Sequence, residues 1–342
     1  MNIEGLLKAT WKQRKRNQMT DSNNCLSALC TVRFKVISCA RPLRAPLMGK
    51  VGICLFVFGF LIGEVRGQSE DGLAALHSGL AQCDGQDCKD ISDSLASDLE
   101  RLLLQPEAWE GLSARTQFMA SVESADGRLK VLTWNWPHED RTSSYAGLIA
   151  FRDAEDADVE FTRLYDPSSA DRPDEQRVLK PEDWNGALYY AIVPDAVDKD
   201  VWLMLGWDDA DAQVNRKVIE PIRIAAKGPR FGVPMLQSPR GMRRRHVLEY
   251  ADAVQASLRY QAEAKGRDGH EQRLVFDHLA PSEPHLTGIS AYYGPDMTFN
   301  AYVPQKKGAP WVLQENVAAI QTLSKDRPFV DPRSRNAPRN RR

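Results

Sequence analysis

The chain has no apolar run approaching the roughly 20 residues that a helix needs to cross the hydrocarbon core of a bilayer. It has no G-x-S-x-G elbow, no H-E-x-x-H, no Walker A loop and no G-x-G-x-x-G. The commonest serine-hydrolase, zinc-protease and nucleotide-binding signatures are therefore absent, although a Ser-His-Asp set gathered from distant strands leaves no such signature. There is no internal repeat clear enough to assign a repeat family. Cysteine is scarce where it would matter. Of the six cysteines, Cys25, Cys30, Cys39 and Cys54 lie in the first fifty-four residues, and only Cys83 and Cys88 follow.

The apolar stretch that is present, Val51–Gly63, is thirteen residues long. A run of about 7–15 apolar residues, preceded by positive charge and followed by small residues, has the form of an export signal. Met48-Gly49-Lys50 supplies the charge, and Val65-Arg66-Gly67 supplies small or apolar residues at −3 and −1, so cleavage is expected before Gln68. On this reading Met48 is the start, 48–67 is the signal, and 1–47 is an over-extended basic leader. The alternative retains Met1 and treats residues 51–63 as an uncleaved anchor behind a basic arm. Positive charge ahead of the segment fits both. The expected location is the periplasm or the exterior, or, under the alternative, the membrane with the body facing the periplasm.

The 45 Lys+Arg and 46 Asp+Glu nearly cancel, but not locally. Residues 1–50 carry ten basic and two acidic residues, and 327–342 carry six arginines against Asp331. Subtracting these leaves 29 basic and 43 acidic residues in 51–326, a net of −14. Nucleic-acid binding needs a basic footprint, so an acidic body argues against it. In an exported chain, Cys83 and Cys88 read as one local disulfide. A redox or metal pair is the other reading, with His77 as the one nearby histidine.

Hydrophobic spacing divides what remains. Leu73, Leu76 and Leu80, then Ile91, Leu95, Leu99, Leu102 and Leu103, recur at helical spacing and predict a short helical hairpin within 68–112. Asp90 or Ser92 is its expected cap, and Pro106 lies past its end. From about Thr116 the period becomes two. Strands over 117–122 and 129–136 flank the turn Ala125-Asp126-Gly127. About a dozen short strands follow, predicting a mainly β antiparallel meander over 113–324, whether barrel, sandwich or propeller-like. Ala187–Val193 and Val201–Trp207 are apolar throughout and so predict strands covered on both faces. Leu188, Ile192, Leu203 and Leu205 are expected in the core. Residues 325–342, rich in Pro, Arg and Asn, are expected to be disordered.

Several phrases stand in a recognisable order. Among them are Thr133-Trp134-Asn135, Trp184-Asn185-Gly186-Ala187-Leu188-Tyr189-Tyr190, Leu205-Gly206-Trp207-Asp208, Phe276-Asp277-His278-Leu279-Ala280-Pro281 and Tyr293-Gly294-Pro295-Asp296. Together, over about 117–316, the chain resembles a family of uncharacterised secreted or periplasmic proteins of Bacteroidetes-type bacteria. That resemblance implies export and one β-rich domain. It carries no activity, ligand or site residue.

Asp277-His278 is the first candidate for chemistry, because an Asp–His pair suits a base with its orienter or two metal ligands. Neighbours on a regular strand point to opposite faces, so these two form no dyad together unless a bulge intervenes. A meander can instead bring Asp296 to them, and Asp277, His278 and Asp296 are the catalytic candidates of an envelope hydrolase or metal-dependent enzyme. His138-Glu139-Asp140 reads as turn chemistry. Asp209-x-Asp211-x-Gln213-x-Asn215 with Glu220 imitates a calcium loop, but Val214 stands where the loop needs glycine, so a solvated acidic hairpin is expected, and no metal or cofactor. Trp134, Trp136 and Trp202 are expected to fill the core. Trp184 and Trp207, at strand ends beside Asp183 and Asp208, are expected to be partly exposed and to serve as binding residues for a glycan or protein of the envelope. The function expected first is non-enzymatic binding or assembly.

N-terminal sequencing of the envelope fraction checks the leader. A first residue at or near Gln68 is expected. Recovery of peptides from Met1–Leu47 would favour the anchor.

Overall fold

The computed structural model describes residues 71–155, 157–167, 172–195, 197–262, 272–305 and 310–317. The expectations for 1–47, 48–67 and 325–342 fall outside them. No described helix is long and apolar enough to cross a membrane.

The amino-terminal part is helical. Helix α1 covers 71–79, α2 is Gly85–Leu103 and α3 is Pro106–Arg115. The expected hairpin is α1 and α2, with Cys83 in the link and Cys88 in the first turn of α2 at disulfide distance (S–S 2.12 Å). Helix α2 starts at Gly85, ahead of both expected caps, and Asp84 at its N-cap makes no side-chain capping bond. Helix α3 was not expected. Pro106 ends nothing; it occupies the first turn of α3, where its missing N–H leaves no bond unmade.

The rest is antiparallel β-structure with one parallel pairing, in three sheets that form no closed barrel. The first is an up-and-down meander of β1 (Ala120–Glu123), β2 (Leu129–Pro137), β3 (Ser143–Phe151) and β4 (Glu160–Tyr165). The expected turn joins β1 to β2, with Gly127 at φ 71°, a conformation glycine adopts without strain. The second sheet has the order β11-β7-β6-β5, built from β5 (Leu188–Pro194), β6 (Val201–Asp208), β7 (Val214–Ala225) and β11 (His246–Ala251), with β8 (Gly228–Phe231) also on β7. The third has the order β10-β9-β15-β14-β13-β12. Its strands are β9 (Leu236–Ser238), β10 (Gly241–Arg243), β12 (Leu258–Gln261), β13 (Arg273–Pro281), β14 (Tyr293–Pro304) and β15 (Trp311–Gln314).

Alternation along the strands stacks these layers. On β2 and β3, Leu132, Trp134, Trp136 and Leu148 pack against the α2 leucines. The alternate residues Leu129, Val131, Tyr145 and Ile149 meet Trp202, Met204 and Ile222 of the second sheet. That sheet's other face, through Val201, Leu203, Leu205 and Ile219, meets Leu274, Phe276 and Tyr302 of the third. The order is therefore helices, first sheet, second sheet, third sheet.

Strand β6 fulfils the double-burial expectation, with every residue buried. Strand β5 does so only in part. It lies at the sheet edge, and Ile192 is half-buried while Leu188, Leu203 and Leu205 are buried. The acidic hairpin expected after β6 is solvated only at its tip, where Asp211 and Gln213 are exposed. Asp209 is buried, accepting bonds from the Tyr145 hydroxyl at 2.6 Å and from Ser143 at 3.1 Å. Asp208 pairs with Arg216 at 3.1 Å. Asp209 thus fastens the end of β6 to β3 of the first sheet, while Asp208 ties β6 to β7 within the second. Among the described residues, no His/Cys/Asp/Glu group could hold a metal ion.

Thermal melts test this layering. Leu203→Ala is expected to cost about 2–5 kcal/mol, and Ile192→Ala distinctly less. Asp209→Ala, which strands two buried hydroxyls, is expected to cost about 1–3 kcal/mol; a loss indistinguishable from zero would return that carboxylate to solvent.

Candidate functional site

The mouth between the second and third sheets opens where residues 284–292 cross edge strand β11. These residues make two short 3-10 turns, Pro284–Leu286 and Ser290–Tyr292, and lead into β14. Ser290 ties them to β11 by donating to Glu249 at 2.9 Å. Glu249 also accepts from Arg172 and Arg216, each at 2.9 Å. Beneath the crossing lies a cavity of about 320 Å³ bordered by His246, Glu249, Phe276, His278, Ser290 and Tyr293. A second, of about 360 Å³, is bordered by Val254, Pro281, Tyr292, Tyr293 and Asp296.

Tyr293 borders both cavities. A second link between them is a hydrogen bond, His278 Nδ1 to Asp296 Oδ2 at 2.8 Å. Strands β13 and β14 shift register between Asp277 and Leu279, and a bulge of this kind re-aims a side chain. The structure thus brings together two of the three catalytic candidates, His278 and Asp296. Asp277 is left out of the pair. It is buried, with its carboxylate accepting from the Ser257 amide at 2.6 Å. Asp296 is the better anchored partner. Bonds from the Thr298 hydroxyl and amide, then from His278, hold its carboxyl down at about 2. An imidazole oriented through Nδ1 presents Nε2 outward, the arrangement of a base with its orienter. The Ser290 hydroxyl in the same cavity is engaged with Glu249.

The two tryptophans expected to bind do not face solvent. Trp184 is 1% exposed and donates through Nε1 to the Tyr189 hydroxyl at 2.9 Å, between the first and second sheets. Trp207, 5% exposed, lies in the same cluster. Their acidic neighbours suggested a wet strand end, but a further sheet covers that end, and neither offers a ring face to a ligand. Trp134, Trp136 and Trp202 are buried as expected. His138 contacts Ser144 at 2.7 Å and Asp140 accepts from the Thr142 amide at 3.0 Å, which is turn chemistry. The aromatic surface lies at the crossing segment, where Tyr292 and Ile289 are about half exposed.

Sequence reasoning did not single out His246. It begins β11 on the face toward the third sheet, 5.1 Å from the Phe276 ring, and its Nδ1 lies 2.8 Å from the Tyr302 hydroxyl. Burial, and then the charges of Arg243 and Arg172, push its pKa down to about 3. No local pattern marks it, because its burial comes from Phe276 and Tyr302 on strands β13 and β14, far along the chain. No protein-family model, curated protein or solved structure matches this chain. What the geometry defines is a class: a protein of three stacked sheets with an aromatic-edged polar groove at the mouth of two of them.

His246 makes stability pH-dependent with a defined sign. Its folded pKa lies near 3, below the ordinary 6.5. The unfolded chain therefore binds the extra proton between these values, and stability contributed by neutral His246 is lost as pH falls from 6.5 toward 3. Melting-temperature profiles are expected to drop less steeply over this window in His246→Asn than in the unmodified chain. Parallel profiles would refute neutral burial.

Proposed function

We propose that this is an exported, non-enzymatic binding module of the bacterial envelope, with the double cavity at the crossing segment as its ligand site. The observation that carries the reading is the pair of cavities joined through Tyr293 and the His278–Asp296 bond, with Tyr292 half exposed beside them. Ligand pockets combine apolar and aromatic walls with a few placed polar groups. Tyrosine at such an edge offers a rigid ring to an extended partner. Export is supported by the short apolar run after Lys50, by the two-cysteine body and by the resemblance to secreted proteins. The ligand class proposed is a glycan or peptide of the envelope; nucleic acid does not suit the acidic body.

One observation favours hydrolysis as a second reading. His278 held by Asp296 is a base with its orienter, and water activated at Nε2 is the chemistry such a pair performs.

Saturation-transfer NMR with soluble cell-wall fragments, both glycan and peptide, separates these readings. Binding signals are expected in the unmodified chain and are expected to fall sharply in Tyr292→Ala, whose melting temperature stays within a few degrees because the ring is half exposed. Fragments consumed during the titration, with the loss of that turnover in His278→Ala, would establish the hydrolase. Silence from every fragment would overturn the binding site.

A further inference from the structure

The floor of the cavity beneath the crossing segment holds two buried polar groups with uncommitted atoms. Asn300, on β14 directly opposite Phe276 in register, is 8% exposed. Its Oδ1 accepts from the Asn316 amide at 3.3 Å, which fixes the orientation of the amide, and its Nδ2 has no partner among the described residues. His246 is likewise 8% exposed. Its Nδ1 meets the Tyr302 hydroxyl, whose side chain is fully buried and makes no other hydrogen bond among the described residues. A buried O–H needs an acceptor, and Nδ1 is the acceptor within reach. The imidazole, kept neutral by burial, therefore carries its proton on Nε2. That atom has no partner among the described residues, and His246 borders the cavity. The floor thus offers two neutral N–H donors and no matching acceptor.

The surroundings narrow what takes them. The walls carry Glu249 and Asp277 against Arg172, whose guanidinium is already engaged with Glu249. Among the described lining residues, a carboxylate or phosphate would find no unpaired arginine or lysine. An uncharged acceptor, a carbonyl oxygen, needs none. Beside the donors lie Leu248, Phe276 and Leu279, an apolar seat for a methyl group. Carbonyl and methyl together make an acetamido group. The adjoining cavity, with Tyr292 and Tyr293 at its edge, is lined for a ring.

We propose that the groove recognises an N-acetylated sugar, with the acetamido oxygen on His246 Nε2 and Asn300 Nδ2 and the ring against Tyr292 and Tyr293. This rests on the reading of the double cavity as a ligand site, and adds to it the class of ligand and the two residues that select it.

Three probes test it by calorimetry on the intact protein: triacetylchitotriose, cellotriose, which has the same β-1,4 backbone with hydroxyls in place of acetamido groups, and a trialanine peptide. The acetylated trisaccharide is expected to bind, with cellotriose about 10- to 100-fold weaker because the floor donors lose their acceptor. Asn300→Asp, which keeps the oxygen for Asn316 and replaces the free donor with an acceptor, is expected to bring the acetylated sugar down to the level of cellotriose. Equal binding of both sugars would overturn the acetamido assignment while leaving the groove a glycan site. Trialanine binding without either sugar would overturn it in favour of a peptide ligand. Failure of all three overturns the assignment, and only failure of the cell-wall fragments as well removes the groove. The probe comparison uses the unmodified chain, so it stands even where Asn300→Asp folds poorly.

Discussion

The second sheet has neither face to give to water. One face meets Leu129, Val131 and Ile149 of the first sheet, and the other meets Leu274, Phe276 and Tyr302 of the third. A sheet buried on both sides carries near-continuous apolar strands, and β6 carries them without a break. The other layers are arranged around this constraint. The first sheet must bury its own second face, and does so against the leucines of α2, where Trp134 donates to Ser92 at 2.9 Å.

Charge does enter the second sheet, on the interior strand β7, where Arg216 and Glu220 are buried and paired. Arg245, fully buried just ahead of β11, meets Glu220 of β7 through bonds of 2.9 and 3.1 Å and also donates to the carbonyls of Asp174 and Arg177. The loop before β5 is thereby drawn onto the sheet. Removing one partner of a buried pair leaves an uncompensated charge, which costs far more than the pair contributes. These pairs specify where loops go. The same principle applied at Glu249, which gathers Arg172, Arg216 and Ser290, holds residues 284–292 across β11. The groove exists because that segment is held there.

Much of the architecture was legible residue by residue. Alternation over 129–136, the Asp126-Gly127 turn and the leucine spacing of α2 are local signals, and each produced its element. Helix α3 escaped because Pro106 serves equally as a stop or as a first turn. Strands β8, β9 and β10 are too short to show a period. Asp209 was misjudged because an acid in a turn is solvated by default, and only the Tyr145 and Ser143 hydroxyls reverse that. Trp184 and Trp207 failed for the same kind of reason, since burial at a strand end depends on which other layer covers it.

The sequence by itself determined the periods, the turns, the double burial of β6 and the residue types from which a site is made, because these follow from neighbours one to four positions apart. Tertiary structure alone decided which chemistry-bearing residues meet. The pairing of β13 with β14, shifted by a bulge, placed His278 on Asp296 and left Asp277 to a backbone amide. The stacking of the second sheet on the third buried His246 against Tyr302 and left its other nitrogen facing a cavity. Contacts between strands are fixed by sheet order and register, which no single strand encodes.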